Sequence, residues 1–256
     1  MKNKLTLFVA VIAVALFGMG CASTEPASDP LKKGLVAYYP FNGNSLDESG
    51  NGNHGGVDGA TLVNDRHGNS KSAYDFNKHV INIPKVGMYN FSAGHSMSVW
   101  ARVPDIERHP VRTSPDRIIY FVNRSLGLWI HRRPKGATGT EGISTGNRLI
   151  IHDKSGQKRE MDQGIINAKF NPSEWFLMTS TFDNKAMRLY INGTFCGEGA
   201  VNNFAKAEFL ARTPHIGSND DYRPTYASLD DVRIYNRALS EEEVKALYEL
   251  EKPKTK

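Results

Sequence analysis

The chain has 256 residues, 39% of them hydrophobic, and a formal net charge of +5. Its two cysteines exclude a disulfide framework and a thiolate metal site, and so modest a basic excess argues against a nucleic-acid partner. The length supports one large all-β domain, with no internal repeat and no second linker to divide it.

In chain order, Lys2 and Lys4 precede an apolar run from Leu5 to Phe17, with Thr6 its one polar residue. That run is short for a bilayer span and has the form of a signal h-region. Removing the two lysines from 32 basic residues leaves 30 against 27 acidic, a net of +3. "CASTEPASDP" follows, small, polar and proline-bearing, and reads as a tether from Cys21 to Lys33 with a reach of about 40 Å. The rest alternates short β-type runs with Gly, Asn and Asp clusters. "GLVAYYPF" is an early strand. "HSMSVWARV" places Met97, Val99, Ala101 and Val103 on one face and Ser96, Ser98, Trp100 and Arg102 on the other. "RIIYFV", "LGLWIH" and "NRLIIHD" are further strands. "EWFLMTSTFD" and "AMRLYING" form a hairpin around Asp183-Asn184-Lys185, and Asn192-Gly193 predicts a type I′ turn into "TFCGEG". Cys196 reads as a small hydrophobe in that last strand. "PHIGSND" and "YASLDDVRIY" close the set. A single helix ends the chain, with Ser240 as N-cap, Glu243 completing a capping box, and Val244, Leu247 and Leu250 on one face beside Tyr248.

Gly20-Cys21 after the apolar run resembles the lipobox of bacterial lipoproteins, with Gly18 where that family has Leu. The resemblance implies cleavage before Cys21, acylation of that cysteine and anchoring in the cell envelope, at an outer membrane if the host has one. Ordinary signal cleavage after Ala22 is the alternative. The runs from "GLVAYYPFNGNSLDESGNGNHGG" through "SMSVWARV" and "HIGSND" to "LDDVRIYNRALSEEEVKALYE" resemble, in this order, the bacterial laminin-G-like, concanavalin A-like domain. The resemblance implies a two-sheet antiparallel jelly-roll sandwich with one short C-terminal helix, spanning residues 34–251. Residues 1–20 are then the signal peptide, 21–33 the tether and 252–256 a basic tail.

That resemblance also implies a module that binds glycans or cell-surface proteins, here as a monomer, with a structural calcium ion between the early strand and the last. Asp230 of the D-x-V-R-I-Y pattern and Asn42 after "YYPF" are the implied ligands, since calcium is held by several oxygens. Asp47, Asn51 and Asn53 read as turn formers. On a regular strand Asp230 and Asp231 face opposite ways, so only one of them meets the ion. For hydrolysis the nearest carboxylate pair is Asp105 and Glu107, but Pro104 and Pro110 bracket it and mark a loop. No catalytic residue is nominated, and a divergent glycoside hydrolase or lyase is the alternative from another class. The stretch Arg102 to Glu160 holds twelve Lys or Arg and six Asp or Glu. Within it, alternation sets Trp129 and His131 on one strand face and Ile130 and Arg132 on the other, with Arg133 following. Trp129, Arg132 and Arg133, with Tyr222 in "SNDDYRPTYA" as a second rim, are the ligand-binding candidates for an acidic glycan.

Overall fold

A computed structural model describes residues 29–83, 94–104, 126–133, 142–153, 158–165, 170–200, 204–207, 215–218 and 225–254. In chain order the strands are β1 (Leu35–Tyr39), β2 (Gly56–Asp58), β3 (Thr61–Val63), β4 (Ala73–Asp75), β5 (Val80–Asn82), β6 (His95–Arg102), β7 (Leu126–Arg133), β8 (Gly142–Asp153), β9 (Lys158–Ile165), β10 (Phe176–Phe182), β11 (Ala186–Ile191), β12 (Thr194–Ala200), β13 (Phe204–Ala207), β14 (His215–Gly217) and β15 (Ser228–Tyr235). The helix α1 (Glu241–Glu251) follows. "RIIYFV" lies outside the described residues.

One eight-stranded antiparallel sheet runs β12-β11-β10-β6-β15-β4-β3, with β1 also on β15. Opposite it stand the arrays β13-β8-β7, with β9 on β8, and β14-β5-β2. Leu128 of β7, Ile81 of β5 and Ile216 of β14 share one core with Met97, Val99, Val232 and Ile234 of the larger sheet. This is the two-layer, mostly β jelly-roll sandwich that the strand pattern implies.

The alternation read in β6 is observed. Met97, Val99, Ala101 and Val103 enter the core, and Trp100 faces the other way into a cluster with Leu177 and Leu247. That outer face is covered by α1, so β6 and β15 are buried on both sides. Residues 29–33, assigned to the tether, are docked. Leu31 joins the Trp100 cluster, and Arg237 donates to the carbonyls of Pro30 and Lys33 at 2.7 Å each. Asn192 and Gly193 both have positive φ, 51° and 73°, as a type I′ turn requires. Cys196 is half-buried against the core, at a bulge where Leu189 pairs Gly197 and Tyr190 pairs Phe195.

The helix begins as the sequence predicts. Ser240 accepts from Glu243 N, and the Glu243 side chain accepts from Ser240 N at 2.8 Å. Its buried face differs from the expectation: Val244, Leu247 and Glu251 are buried, and Leu250 is 69% exposed. Positions 244, 247 and 251 follow one helical stripe, and 250 falls beside it.

Polar side chains of the following loop cover the free edge of β1. Asn51 and Asn53 donate to Val36 O at 3.0 and 2.8 Å, Ser49 donates to the same oxygen at 3.1 Å, and Asp47 accepts from Tyr38 N at 2.9 Å. These residues do more than turn the chain: they satisfy a strand edge that is otherwise open.

Candidate functional site

The last strand changes neighbours half-way. Ser228 and Leu229 pair with β4, whereas Val232 to Tyr235 pair with β1. Between them the register with β6 slips, and Asp231 takes a left-handed φ of 46°. This bulge overturns the expectation that the two aspartates diverge. Both carboxylates meet one guanidinium: Arg66 Nη1 lies 2.5 Å from Asp230 Oδ2, and Nη2 lies 2.6 Å from Asp231 Oδ2. Arg66 comes from the β3–β4 turn, stacks 4.7 Å from the centre of the Trp100 ring, and donates Nε–H to Glu251 O at 2.8 Å.

The cluster continues through buried groups. Tyr38 donates to Asp231 Oδ1 at 2.5 Å, Arg233 lies over the Tyr38 ring and pairs with Glu251, and Trp100 Nε1 donates to Glu251 Oε2 at 2.8 Å. Burial, reinforced by the charge on Asp231, pushes the Asp230 carboxyl up to about 8 against the pull of Arg66. Burial pushes Glu251 up to about 7 against the pull of Arg233. The cluster thus joins β1, the β3–β4 turn, β6, β15 and the end of α1.

The structure does not bring Asn42 and Asp230 together as a ligand pair. Asn42 is exposed, with its carbonyl accepting from Asn44 at 3.3 Å, whereas Asp230 is 1% exposed and faces Arg66. Asp230 Oδ1 accepts from Asp231 N, so both of its oxygens are engaged. Among the described residues no group of three or more His, Cys, Asp or Glu side chains is placed to hold a metal ion. Calcium needs six to eight oxygens around a free position, and with Arg66 occupying the space between the carboxylates the residues at Asp230 do not fit it. Trp129, Arg132 and Arg133 fall in β7 opposite Gly146, Ile143 and Gly142 of β8. Their side chains lie outside the described residues, as do Tyr222, Cys21, Asp105 and Glu107.

A cleft of about 540 Å3 opens on the outer face of the β11–β12 hairpin against the start of α1. Pairing sets Tyr190 opposite Phe195 and Arg188 opposite Glu198. Phe195 is 44% exposed and meets the buried Tyr190 edge-on, with ring centres 5.6 Å apart. Arg188 is fixed at the wall by Asp183 Oδ2 at 2.8 Å and Glu198 Oε2 at 2.9 Å. Partial burial works to raise Asp183, but the bond from Arg188 and the N–H groups of Ala186 and Lys185 outweigh it and hold the carboxyl below its ordinary value. Bonding from Arg237 likewise holds Glu243, on the far wall, low. The result is an aromatic platform ringed by ionised carboxylates and a braced guanidinium. It can receive an apolar ring face and accept hydrogen bonds from hydroxyls around it. This site is almost silent in the sequence. Its one legible signal is Phe195, the second residue of an edge strand that Thr194 opens after the turn.

The family model described as the concanavalin A-like lectin/glucanases superfamily, of laminin G type, matches residues 77–245, about two-thirds of the chain. The chain belongs to this superfamily. No curated protein sequence matches it. Among solved structures, this superfamily member is similar to the receptor-binding domain of a botulinum neurotoxin C/D mosaic serotype, with a TM-score of 0.61 and 17% identity over 85% of this chain and 51% of that one. It is also similar to the binding domain of Paraclostridial Mosquitocidal Protein 1, with a TM-score of 0.58 and 22% identity over 85% and 52%. A third is domain 4 of an extracellular arabinanase from Geobacillus stearothermophilus in complex with arabinotriose, with a TM-score of 0.52 and 22% identity over 84% and 98%. The chain spans about half the length of the toxin domains and nearly all of the arabinanase domain. At these identities the likeness is one of fold.

Proposed function

We propose that this protein is a non-catalytic glycan-binding module, displayed on the cell envelope by a lipid on Cys21. The observation that carries the reading is the exposed Phe195 platform, set on Tyr190 and flanked by the braced Arg188. Exposed aromatics are enriched where proteins meet ligands with one apolar face and a polar rim, as a pyranose has. The superfamily of lectins and glucanases, and the arabinotriose complex of the arabinanase domain, support a sugar as the ligand. Binding without hydrolysis fits the wall chemistry. Asp183 and Glu198 are both engaged by Arg188, and Asp183, held low, is a poor proton donor at neutral pH.

The carboxylates at the cleft favour a neutral sugar, whereas the basic stretch with Trp129, Arg132 and Arg133, and Tyr222 beyond it, favours a uronate or sulfate. A glycan array separates them. We expect retention on a neutral oligosaccharide, with Phe195→Ala weakening it on the order of tenfold. Retention on acidic glycans alone, lost in Arg132→Ala and Arg133→Ala, moves the site to β7. A chain that retains no glycan, or whose retention ignores all three changes, overturns the reading in favour of adhesion to a protein.

A further inference from the structure

We propose that the guanidinium of Arg66 is the resident cation of the last-strand cluster, a side-chain charge standing where the chain would otherwise hold a divalent ion. Asp230 Oδ2, Asp231 Oδ2 and Glu251 O converge from two separate elements on one guanidinium, and Arg66 meets them with Nη1, Nη2 and Nε, in that order, at 2.5, 2.6 and 2.8 Å. The bulge at Asp231 is what turns the second carboxylate inward; a regular strand offers only one. Two aspartates brought side by side by a left-handed residue, in a site where both are almost fully buried, need a positive charge between them. The planar fork of arginine engages two carboxylates and a carbonyl at once, and the Trp100 ring closes the face above it.

The cluster therefore ties the β3–β4 turn, the last strand and the end of α1 together by a covalently supplied cation. Tyr38, Arg66 and Glu251 lie outside the span matched by the family model, and Trp100, Asp230, Asp231 and Arg233 lie inside it. The tie thus joins the matched sandwich to both of its flanks. The corollary is specific. If Arg66 is shortened, the cradle keeps its oxygens, loses its charge and gains affinity for a divalent or trivalent ion.

Terbium emission excited through tryptophan, read on the full-length mature chain, tests this, because Trp100 lies beside the cradle. The wild type should show no emission that depends on Asp230, and its melting temperature should be the same in millimolar calcium and in chelator. Arg66→Ala should melt lower, recover part of the loss in calcium, and gain a terbium signal that Trp100→Phe removes. An Arg66→Ala chain that folds only with calcium counts the same way. Wild-type emission, or a calcium-dependent wild-type melt, that Asp230→Asn abolishes overturns the proposal, and this arm needs no Arg66 variant to fold. A folded Arg66→Ala chain that neither gains the signal nor responds to calcium overturns the assignment of these oxygens as a cation cradle. None of these readouts involves glycan, so they stand or fall apart from the binding function.

Discussion

Two guanidiniums, Arg66 and Arg233, meet three carboxylates, Asp230, Asp231 and Glu251, behind the helix. A single retained proton balances that set, and burial raises both Asp230, to about 8, and Glu251, to about 7. A carboxyl raised in the fold binds its proton more tightly than in the unfolded chain. Its contribution to stability is complete below the ordinary carboxylate range and is lost as the pH rises through about 7 to 8. Unfolding free energy measured in urea should fall from mildly acid to mildly alkaline pH, at about 1.4 kcal/mol per pH unit for one proton. Glu251→Gln should flatten that slope, and an unchanged slope would place the titration elsewhere. At this scale the sequence was partly legible. Asp230 stood out from its pattern, and its burial on the last strand is observed. Arg66 did not, because nothing in "NDRHGN" distinguishes a buried arginine from a solvated one. The shared bond of Asp230 and Asp231 to Arg66 was not legible because strand alternation presumes a regular register, and the bulge that breaks it lies where the strand changes neighbours on its other edge.

Among elements, the helix shows how much local rules deliver. Ser240 and Glu243 form the capping box that their spacing announces, and Arg237 grips Glu243 with two bonds of 2.7 and 2.8 Å. Ser240→Ala should cost about 0.5–2 kcal/mol in chemical denaturation; a change near zero would mean that Arg237 and tertiary packing alone hold the first turn. The long strands β6, β10, β11 and β15 were legible from their runs and turns. Strands β2 to β5 have three residues each, fewer than an alternating pattern needs to declare itself, and they exist through pairing with distant partners such as Gly217 on Val80. The strand β9, "KREMDQGI", is too polar to read as a strand, and it is held by eight residues of β8. At the Phe195 cleft, Phe195, Arg188 and Glu198 are near in sequence, but the far wall comes from the start of α1, and no local pattern could supply it.

Over the whole molecule, among the described residues, no helix is long and apolar enough to cross a membrane. The anchor we propose is instead covalent. Metabolic labelling with palmitate should mark the wild-type chain and not Cys21→Ser; labelling that persists in the variant would remove the anchor from the reading. The docking of residues 29–33 on Arg237 and the Trp100 cluster shortens the free part of such a tether, so the domain would sit close to its surface, with the N-terminal lead emerging beside the helix.

The position of β15 has a consequence for synthesis. It is the last strand in the chain and lies inside the larger sheet, with β6 along one edge and β4 and β1 sharing the other. A ribosome delivers the N-terminal strands first, but β6, β4 and β1 cannot be joined until the final segment has left the exit tunnel. Arg66 likewise waits for Asp230, Asp231 and the carbonyl of Glu251. Closure of this domain is therefore timed by strand order, and the larger sheet stays open until β15 is delivered.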